Sequence, residues 1–171
     1  GAHHAREWPS AEHAMEWAFE LVNGYKNGDA RVTNILRKGR MIVVPIVNPD
    51  GFNGSRSVGM ADGRDETVDD TVYIATAPGE YRRKNCRPAP GELTAVDCTT
   101  LPRNVGVDLN RNYAGFWGGP GASPDPLDDA YRGESPASEP EVQAVRDLVA
   151  TRQITNLITY DALYYKSTDA A

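Results

Sequence analysis

The pattern of apolar and polar positions predicts helices in three stretches of the chain. The first helix follows Ser10 as its N-cap and ends at Gly24, and its segment AEHAMEWAFELVN has one apolar face. That face comprises Ala14, Trp17, Ala18, Leu21 and Val22. A short second helix is predicted in ARVTNILRK, which Gly39 closes. The third begins in PEVQAVRDLVATR, because Ser138 and Glu141 form a capping box there.

Runs of apolar and β-branched residues predict strands between these helices. RMIVVPIVNPDG stops at a turn and reads as a buried strand, although Pro45 removes a ladder donor. NVGVDLNRNY is predicted as a short strand that runs into polar residues, and ITNLITY as a strand after the last helix. Residues 53–80, residues 86–104 and the segment GFWGGPGASPDPLDD are predicted to be loops.

The order of these elements predicts an α/β fold, with a mainly parallel or mixed sheet and flanking helices. Loops longer than about 12–15 residues are usually functional or disordered. In open α/β sheets the loops at the carboxyl ends of strands bind ligands. We therefore expect the functional residues in the long loops.

Composition narrows the classes of function. The chain has 171 residues, a length typical of one domain, and a net charge of -6, which argues against nucleic acid as a partner. No apolar run is long enough to span a membrane, so no membrane partner is expected. The chain begins directly with GAHH, without a visible signal peptide, and this is typical of a mature or shortened product. The oligomeric state is not predicted.

Two cysteines, Cys86 and Cys98, flank a loop that contains proline and glycine. A disulfide closing this loop would suit an oxidising, extracellular compartment. The alternative is a pair of free thiols. A zinc site is not expected there, because the loop has neither a CxxC pair nor a histidine.

All three histidines lie among the first thirteen residues, at His3, His4 and His13. His4 and Glu7 are three residues apart, so a turn could direct both side chains at one point. Imidazole nitrogen and carboxylate oxygen are both good zinc ligands. Alternatively, the two residues lie on a surface loop by chance.

Other polar clusters follow predicted strands or lie in loops. Guanidinium groups bind carboxylates bidentately, so arginines and asparagines that converge on strand ends favour recognition of a carboxylate. The alternative for each cluster is solvated charge and turn chemistry. The clusters comprise Asn48 and Asp50; Arg82, Arg83 and Lys84; and Asp108, Asn110, Arg111 and Asn112.

Five motifs in order resemble the zinc metallocarboxypeptidases, the carboxypeptidase A and B type. They are GAHHAREW, VNPDGF, RRKN, GVDLNRNY and YRGESPASEPE. The resemblance covers roughly residues 1–160, as the central part of a catalytic domain, and leaves residues 161–171 as a divergent tail.

The resemblance implies roles for individual residues. His4 and Glu7 match the first two zinc ligands, and Asp50 matches an acid that orients the first histidine ligand. Arg83 matches the arginine that stabilises the oxyanion at the scissile carbonyl. Arg6 matches a residue that helps to hold the substrate, and Asn110 and Arg111 match the pair that binds its terminal carboxylate. His3 has no matched role and is expected on the loop surface, and His13 is expected to be solvated on the first helix.

The sequence departs from the family's pattern after ITNLITY, where Asp161 stands in place of the third ligand, a histidine. The family's general-base glutamate and substrate-capping tyrosine would lie beyond Ala171. Three explanations remain open: a fragment with foreign last residues, a degenerate non-catalytic relative, or Asp161 acting as the third ligand.

The resemblance implies a Zn²⁺-dependent, extracellular metallocarboxypeptidase that hydrolyses the C-terminal peptide bond of peptides and proteins. This incomplete chain is itself expected to be inactive, because the third histidine ligand and the general base are missing. The alternative is a non-catalytic module that binds the free C-termini of peptides.

Overall fold

The computed structural model describes residues 1–61, 81–88 and 97–161. No helix in these residues is long and apolar enough to cross a membrane. The helices of the described residues are α1 (Trp8–Lys26), α2 (Ala30–Lys38), α3 (Pro49–Ala61), α4 (Leu109–Asn112) and α5 (Pro140–Thr151).

The three predicted helices are confirmed as α1, α2 and α5, but two of the predicted caps are wrong. Ser10 lies inside α1, where its Oγ donates to the backbone oxygen of Glu7 at 2.7 Å and accepts the Ala2 N–H at 2.8 Å. Ser10 therefore ties the helix to the N-terminal segment. In α5 the N-cap is Glu139 rather than Ser138, and no side-chain capping bond forms.

The predicted end of α1 at Gly24 is also wrong, because the helix continues to Lys26. A Cβ at Gly24 would lie 2.9 Å from Cγ2 of Val32, so this glycine permits α2 to pack closely against α1. On the predicted apolar face, Ala14 is buried but Val22 is 48% exposed. The face is thus only partly covered by described residues.

Helix α3 replaces the first part of a predicted loop. Asn48 accepts the Gly51 N–H through Oδ1 at 3.1 Å, Pro49 is the first helical residue, and Asp50 lies in the first turn. Asparagine as a cap, proline at the first position and an acid in the first turn all favour a helix start. The remainder of that loop prediction, residues 62–80, lies outside the described residues.

The predicted sheet is not confirmed, since the described ranges contain one isolated bridge, between Ser123 and Tyr131. Residues 40–47 make some backbone hydrogen bonds to the N-terminal segment, such as Val47 N–H to Gly1 O at 3.1 Å, but too few for a β-ladder. Residues 154–160 are mostly exposed and share no backbone hydrogen bond with another described segment. NVGVDLNRNY enters the short helix α4 instead of continuing as a strand.

Backbone hydrogen bonds nevertheless align the segments that carry the candidate site. The N-terminal segment bonds to residues 44–48 on one side and to Arg83 on the other, through Ala5 N–H to Arg83 O at 3.0 Å. Asn85 N–H then donates to Val107 O at 3.0 Å. Two small apolar clusters support this arrangement, one of Ala2, Ala11 and Phe52 and one of Val47, Leu109 and Val142.

The predicted disulfide is present between Cys86 and Cys98, whose Cα atoms are 5.4 Å apart. Helix α3 packs against it at Gly54, where a Cβ would overlap the Cβ of Cys98. Within the loop that the disulfide closes, residues 89–96 lie outside the described residues.

Gly54→Ala is expected to lower the free energy of unfolding by about 1–3 kcal/mol, because the added methyl overpacks the contact with the disulfide. Urea unfolding followed by circular dichroism measures the change. The control is Gly115→Ala, where a Cβ would meet open space. Equal stability of the two variants would show that α3 moves aside without cost.

Candidate metal centre

A turn at the start of α1 brings His4 and Glu7 together. The Glu7 N–H donates to His4 O at 3.1 Å, and Glu7 is the N-cap residue of the helix. Nδ1 of His4 lies 2.7 Å from Oε1 of Glu7, and both side chains are buried. The three-residue spacing therefore produces a local imidazole–carboxylate pair, as predicted from the sequence.

Asp161 approaches the same pair from a distant part of the chain. Its Oδ1 is 3.8 Å from Nδ1 of His4, and its Oδ2 accepts from Nδ2 of Asn110 at 3.3 Å. His4, Glu7 and Asp161 each offer one possible metal-ligand atom, and these three atoms all lie within 4.8 Å of one another. The Asp161 side chain is 41% exposed, so this side of the cluster opens to solvent.

The donor set fits zinc in chemistry and in scale. Imidazole nitrogen and carboxylate oxygen both bind zinc, and bonds of about 2.0–2.2 Å place tetrahedral ligands about 3.4 Å apart. The His4–Glu7 pair, at 2.7 Å, would have to open slightly, and the His4–Asp161 pair, at 3.8 Å, would have to close slightly. Both adjustments are small for side chains.

The acid beside His4 is Asp108, so the prediction that Asp50 orients this histidine is wrong. Oδ1 of Asp108 lies 3.2 Å from Nε2 of His4, close but not aligned as a hydrogen bond. Asp108 is fully buried, whereas Asp50 is exposed in the first turn of α3. Because Asp108 faces Nε2, the Nδ1 atom is directed towards Glu7 and Asp161.

Burial and neighbouring charges shift the pKa values of this pair in opposite directions. Burial alone would lower the pKa of His4, but its contacts with Asp108 and Glu7 outweigh burial and raise the pKa. Burial alone would raise the pKa of Asp108, but His4 and the Arg83 guanidinium hold that pKa below its ordinary value.

Arg83 occupies the other side of Asp108. Its Nε and Nη2 atoms each lie 3.0 Å from Oδ2 of Asp108, and its Nη1 lies 4.0 Å from Oε1 of Glu7. The guanidinium is thus held beside the candidate metal ligands, with its side chain 16% exposed. This position leaves it accessible to a ligand at the metal.

The predicted carboxylate clamp lies on α4. Asp108 caps this helix by accepting the Asn110 N–H at 3.0 Å, so the acid beside His4 also positions Asn110. Arg111 donates from Nε to Gly121 O at 2.8 Å and is half-buried. Arg6, in the segment before α1, pairs weakly with Asp129 at 3.5 Å.

The two remaining histidines differ in environment. His13 is exposed on α1, as predicted, and its Nδ1 lies 2.7 Å from Pro9 O. The prediction that His3 lies on the surface is wrong, since it is 5% exposed and its Nε2 lies 2.8 Å from the Tyr113 hydroxyl. Burial, followed by the nearby N-terminal ammonium, lowers the pKa of His3 to about 4, and burial raises the pKa of Tyr113 to about 12.

Two cations in the RRKN motif have structural roles that the sequence did not reveal. Arg82 is fully buried and donates to the backbone oxygens of Cys98, Asn85 and Val105 at 2.9, 3.2 and 2.7 Å. Burial lowers its pKa to about 10. Lys84 is also fully buried and donates from Nζ to Asn104 O and Pro126 O. Only the middle residue of this cationic run, Arg83, reaches the metal ligands.

Known proteins are similar to this chain over most of its length. The model of a family described as zinc carboxypeptidase matches residues 1–166. Mouse carboxypeptidase A4 is 32% identical over 146 residues, which cover 85% of this chain and 27% of that protein. Metallocarboxypeptidase A of Trichophyton tonsurans is 34% identical over 143 residues, which cover 84% of this chain and 26% of that protein. The chain thus spans about a quarter of the length of these relatives.

Among solved structures, the chain is similar to that of thrombin activatable fibrinolysis inhibitor, with a TM-score of 0.58 and 29% sequence identity. The similarity covers 87% of this chain and 30% of that chain. The described residues therefore share their arrangement with part of a larger fold.

Proposed function

The chain belongs to the zinc carboxypeptidase family, and from this premise we propose that it carries part of the site of a metallocarboxypeptidase. The proposed reaction is zinc-dependent hydrolysis of the C-terminal peptide bond of peptides and proteins. The observation that supports it most directly is the convergence of His4, Glu7 and Asp161 beside Arg83 and Asn110.

Zinc, when bound, supplies Lewis-acid polarisation of the scissile carbonyl and lowers the pKa of a water molecule. His4 would hold it through Nδ1 and Glu7 through a carboxylate oxygen, with Asp161 as the third ligand. Asp108 fixes the orientation of the His4 ring, since its carboxylate faces the opposite nitrogen. The ligands thus come from one turn, and Asp161 joins them from a distant segment.

Arginine and asparagine side chains would contact different parts of the substrate. Arg83 lies beside both Glu7 and Asp108, where its guanidinium can donate to an oxyanion that develops at the scissile carbonyl. Asn110 and Arg111 would grip the free carboxylate of the chain end, and Arg6 would hold the substrate nearby. Leaving an arginine without its carboxylate is costly, so this clamp would favour terminal over internal peptide bonds.

We propose that the chain by itself binds a peptide end without hydrolysing it. The three described carboxylates at the centre already have proposed tasks: Glu7 and Asp161 as zinc ligands, and Asp108 as the partner of His4 and Arg83. This assignment leaves none of these three as the general base. The same assignment favours the second candidate function, a non-catalytic module for peptide C-termini.

An extracellular location is part of the proposal. The disulfide between Cys86 and Cys98 supports it, because disulfides persist in oxidising compartments. The proposed partners are peptides or proteins with a free C-terminus, which would reach the half-exposed clamp from solvent.

Titration calorimetry with N-benzoylglycyl dipeptides that end in Phe or Lys tests this proposal. With zinc present, a ligand with a free carboxylate is expected to bind at least about tenfold more tightly than its amide, and Arg111→Ala is expected to abolish that preference. The control is Arg146→Ala, since Arg146 is exposed and pairs with Asp147. Equal affinity for acid and amide would overturn the clamp.

Zinc stoichiometry and hydrolysis of the same dipeptides separate the two candidate functions. One zinc per chain with product release supports a hydrolase, and binding without turnover supports the module. A chain that binds no zinc would contradict the metal centre itself.

A further inference from the structure

A hydrogen bond joins the metal loop, defined as residues 1–7, to the far end of α4. Nε2 of His3 lies 2.8 Å from the hydroxyl of Tyr113, and the two rings are tilted by 58° with centroids 5.7 Å apart. Tyr113 is the C-cap residue of α4. The bond therefore connects the residue before one candidate zinc ligand to the residue that ends the clamp helix.

Both partners of this bond are anchored on their own side. The backbone oxygen of His3 accepts from Nδ2 of Asn48 at 3.1 Å, and Asn48 is fully buried at the start of α3. Tyr113 packs against the buried cluster that contains Leu109 and Val142. Because the His3 backbone and the Tyr113 ring are each anchored, the contact between them links the positions of the two segments.

The contact complements Asp108, which lies at the opposite end of the same helix. Asp108, at the N-terminus of α4, lies beside His4, and Tyr113 bonds the C-terminal end to His3. The helix is also held at Asn112, whose Nδ2 donates to Arg132 O, Ser135 O and Ser138 Oγ. What the Tyr113 hydroxyl adds is the direct link between this end of the helix and the N-terminal segment. Asn110 and Arg111 lie between Asp108 and Tyr113.

We propose that His3 and Tyr113 are positioning residues that fix the carboxylate clamp on α4 relative to the metal loop. The hydrogen bond ties the C-terminal end of α4 to the metal loop, and so holds Asn110 and Arg111 at a fixed distance from the metal ligands. The consequence for ligand binding rests on the proposed function. The mechanical link itself rests on the contacts alone.

Hydrogen exchange tests the link without any ligand. Tyr113→Phe removes one hydroxyl and is expected to speed exchange of the Ala5 and Arg111 amides together, by roughly five- to tenfold. These two amides donate to Arg83 O and Asp108 O, on the two sides of the contact. The control is Tyr25→Phe, since Tyr25 is 49% exposed on α1. Unchanged exchange at both amides, relative to this control, would overturn the proposal.

Affinity for N-benzoylglycyl-L-phenylalanine tests the effect on the clamp. Tyr113→Phe and His3→Leu are each expected to weaken the preference for the acid over the amide by about fivefold, and the double variant by no more. His3→Gln can still form a hydrogen bond with the Tyr113 hydroxyl, so this variant is expected to retain most of the preference for the acid over the amide. Additive losses, or an equal loss in His3→Gln, would indicate simple destabilisation and overturn the proposal.

The two readouts separate the proposals. If the wild-type chain binds neither zinc nor the peptide, the proposed function fails, and the exchange experiment alone decides the positioning role. If ligands bind normally and the exchange rates do not respond to Tyr113→Phe, the positioning role fails and the proposed function stands.

Discussion

Asp108→Asn is expected to weaken zinc binding by about 10–100-fold, because groups that orient a metal ligand from outside the coordination shell typically contribute this much to affinity. The substitution removes the negative charge 3.2 Å from Nε2 of His4, so the ring loses both its orientation and part of its basicity. Asparagine is a good N-cap and retains an oxygen for the Asn110 N–H, so α4 should persist.

Competition with a chromogenic chelator measures this affinity. The matched control is Asp50→Asn, since Asp50 is exposed on α3 and was the acid expected from the family resemblance. Unchanged zinc affinity in Asp50→Asn, with a loss in Asp108→Asn, is the expected pair of results. The reverse pair would return the orienting role to Asp50 and contradict the structure.

Arg82→Met is expected to lower the free energy of unfolding by about 3–5 kcal/mol, which approaches the whole stability of many domains. The arginine donates to three backbone oxygens, those of Cys98, Asn85 and Val105, and methionine leaves all three without this donor in a buried place. Methionine has a similar volume, so the loss reports hydrogen bonding rather than a cavity.

Chemical unfolding followed by tryptophan fluorescence provides the measurement, and Arg146→Met on the exposed face of α5 provides the control. A loss below about 1 kcal/mol would mean that water replaces the guanidinium at these oxygens. Zinc affinity of the folded fraction should be unaffected, because Arg82 makes no contact with the described metal ligands.

Local signals predicted the parts of the site that are close in sequence. His4 and Glu7 meet because one turn before α1 joins them, and a spacing of three residues reveals that directly. Asp108 contacts His4 across more than a hundred residues, so its role depends on how distant segments align. A motif predicts the orienting role for Asp50, and only the packing of α3 shows that this residue faces solvent.

The fold follows the same division. The spacing and composition of α2 and α5 act within a few residues and predict both helices, although the predicted cap of α5 is wrong. The sequence analysis does not predict α3, although Pro49 follows a capping asparagine. Strands need partners that lie elsewhere in the chain, so an apolar run such as residues 40–47 does not by itself specify a ladder. Burial of His3 likewise depends on Tyr113, 110 positions away.

The alignment of the N-terminal segment, Arg83 and Val107 limits how this centre could be transplanted into another scaffold. A designer who copied only the HARE segment would obtain the turn but would lose the hydrogen bond in which Arg83 O accepts from the Ala5 N–H. The portable unit comprises residues 1–7, 82–85 and 105–113 and also Asp161, together with the spacing between them. Engineering should therefore begin from a host backbone whose separate segments already lie side by side with this spacing.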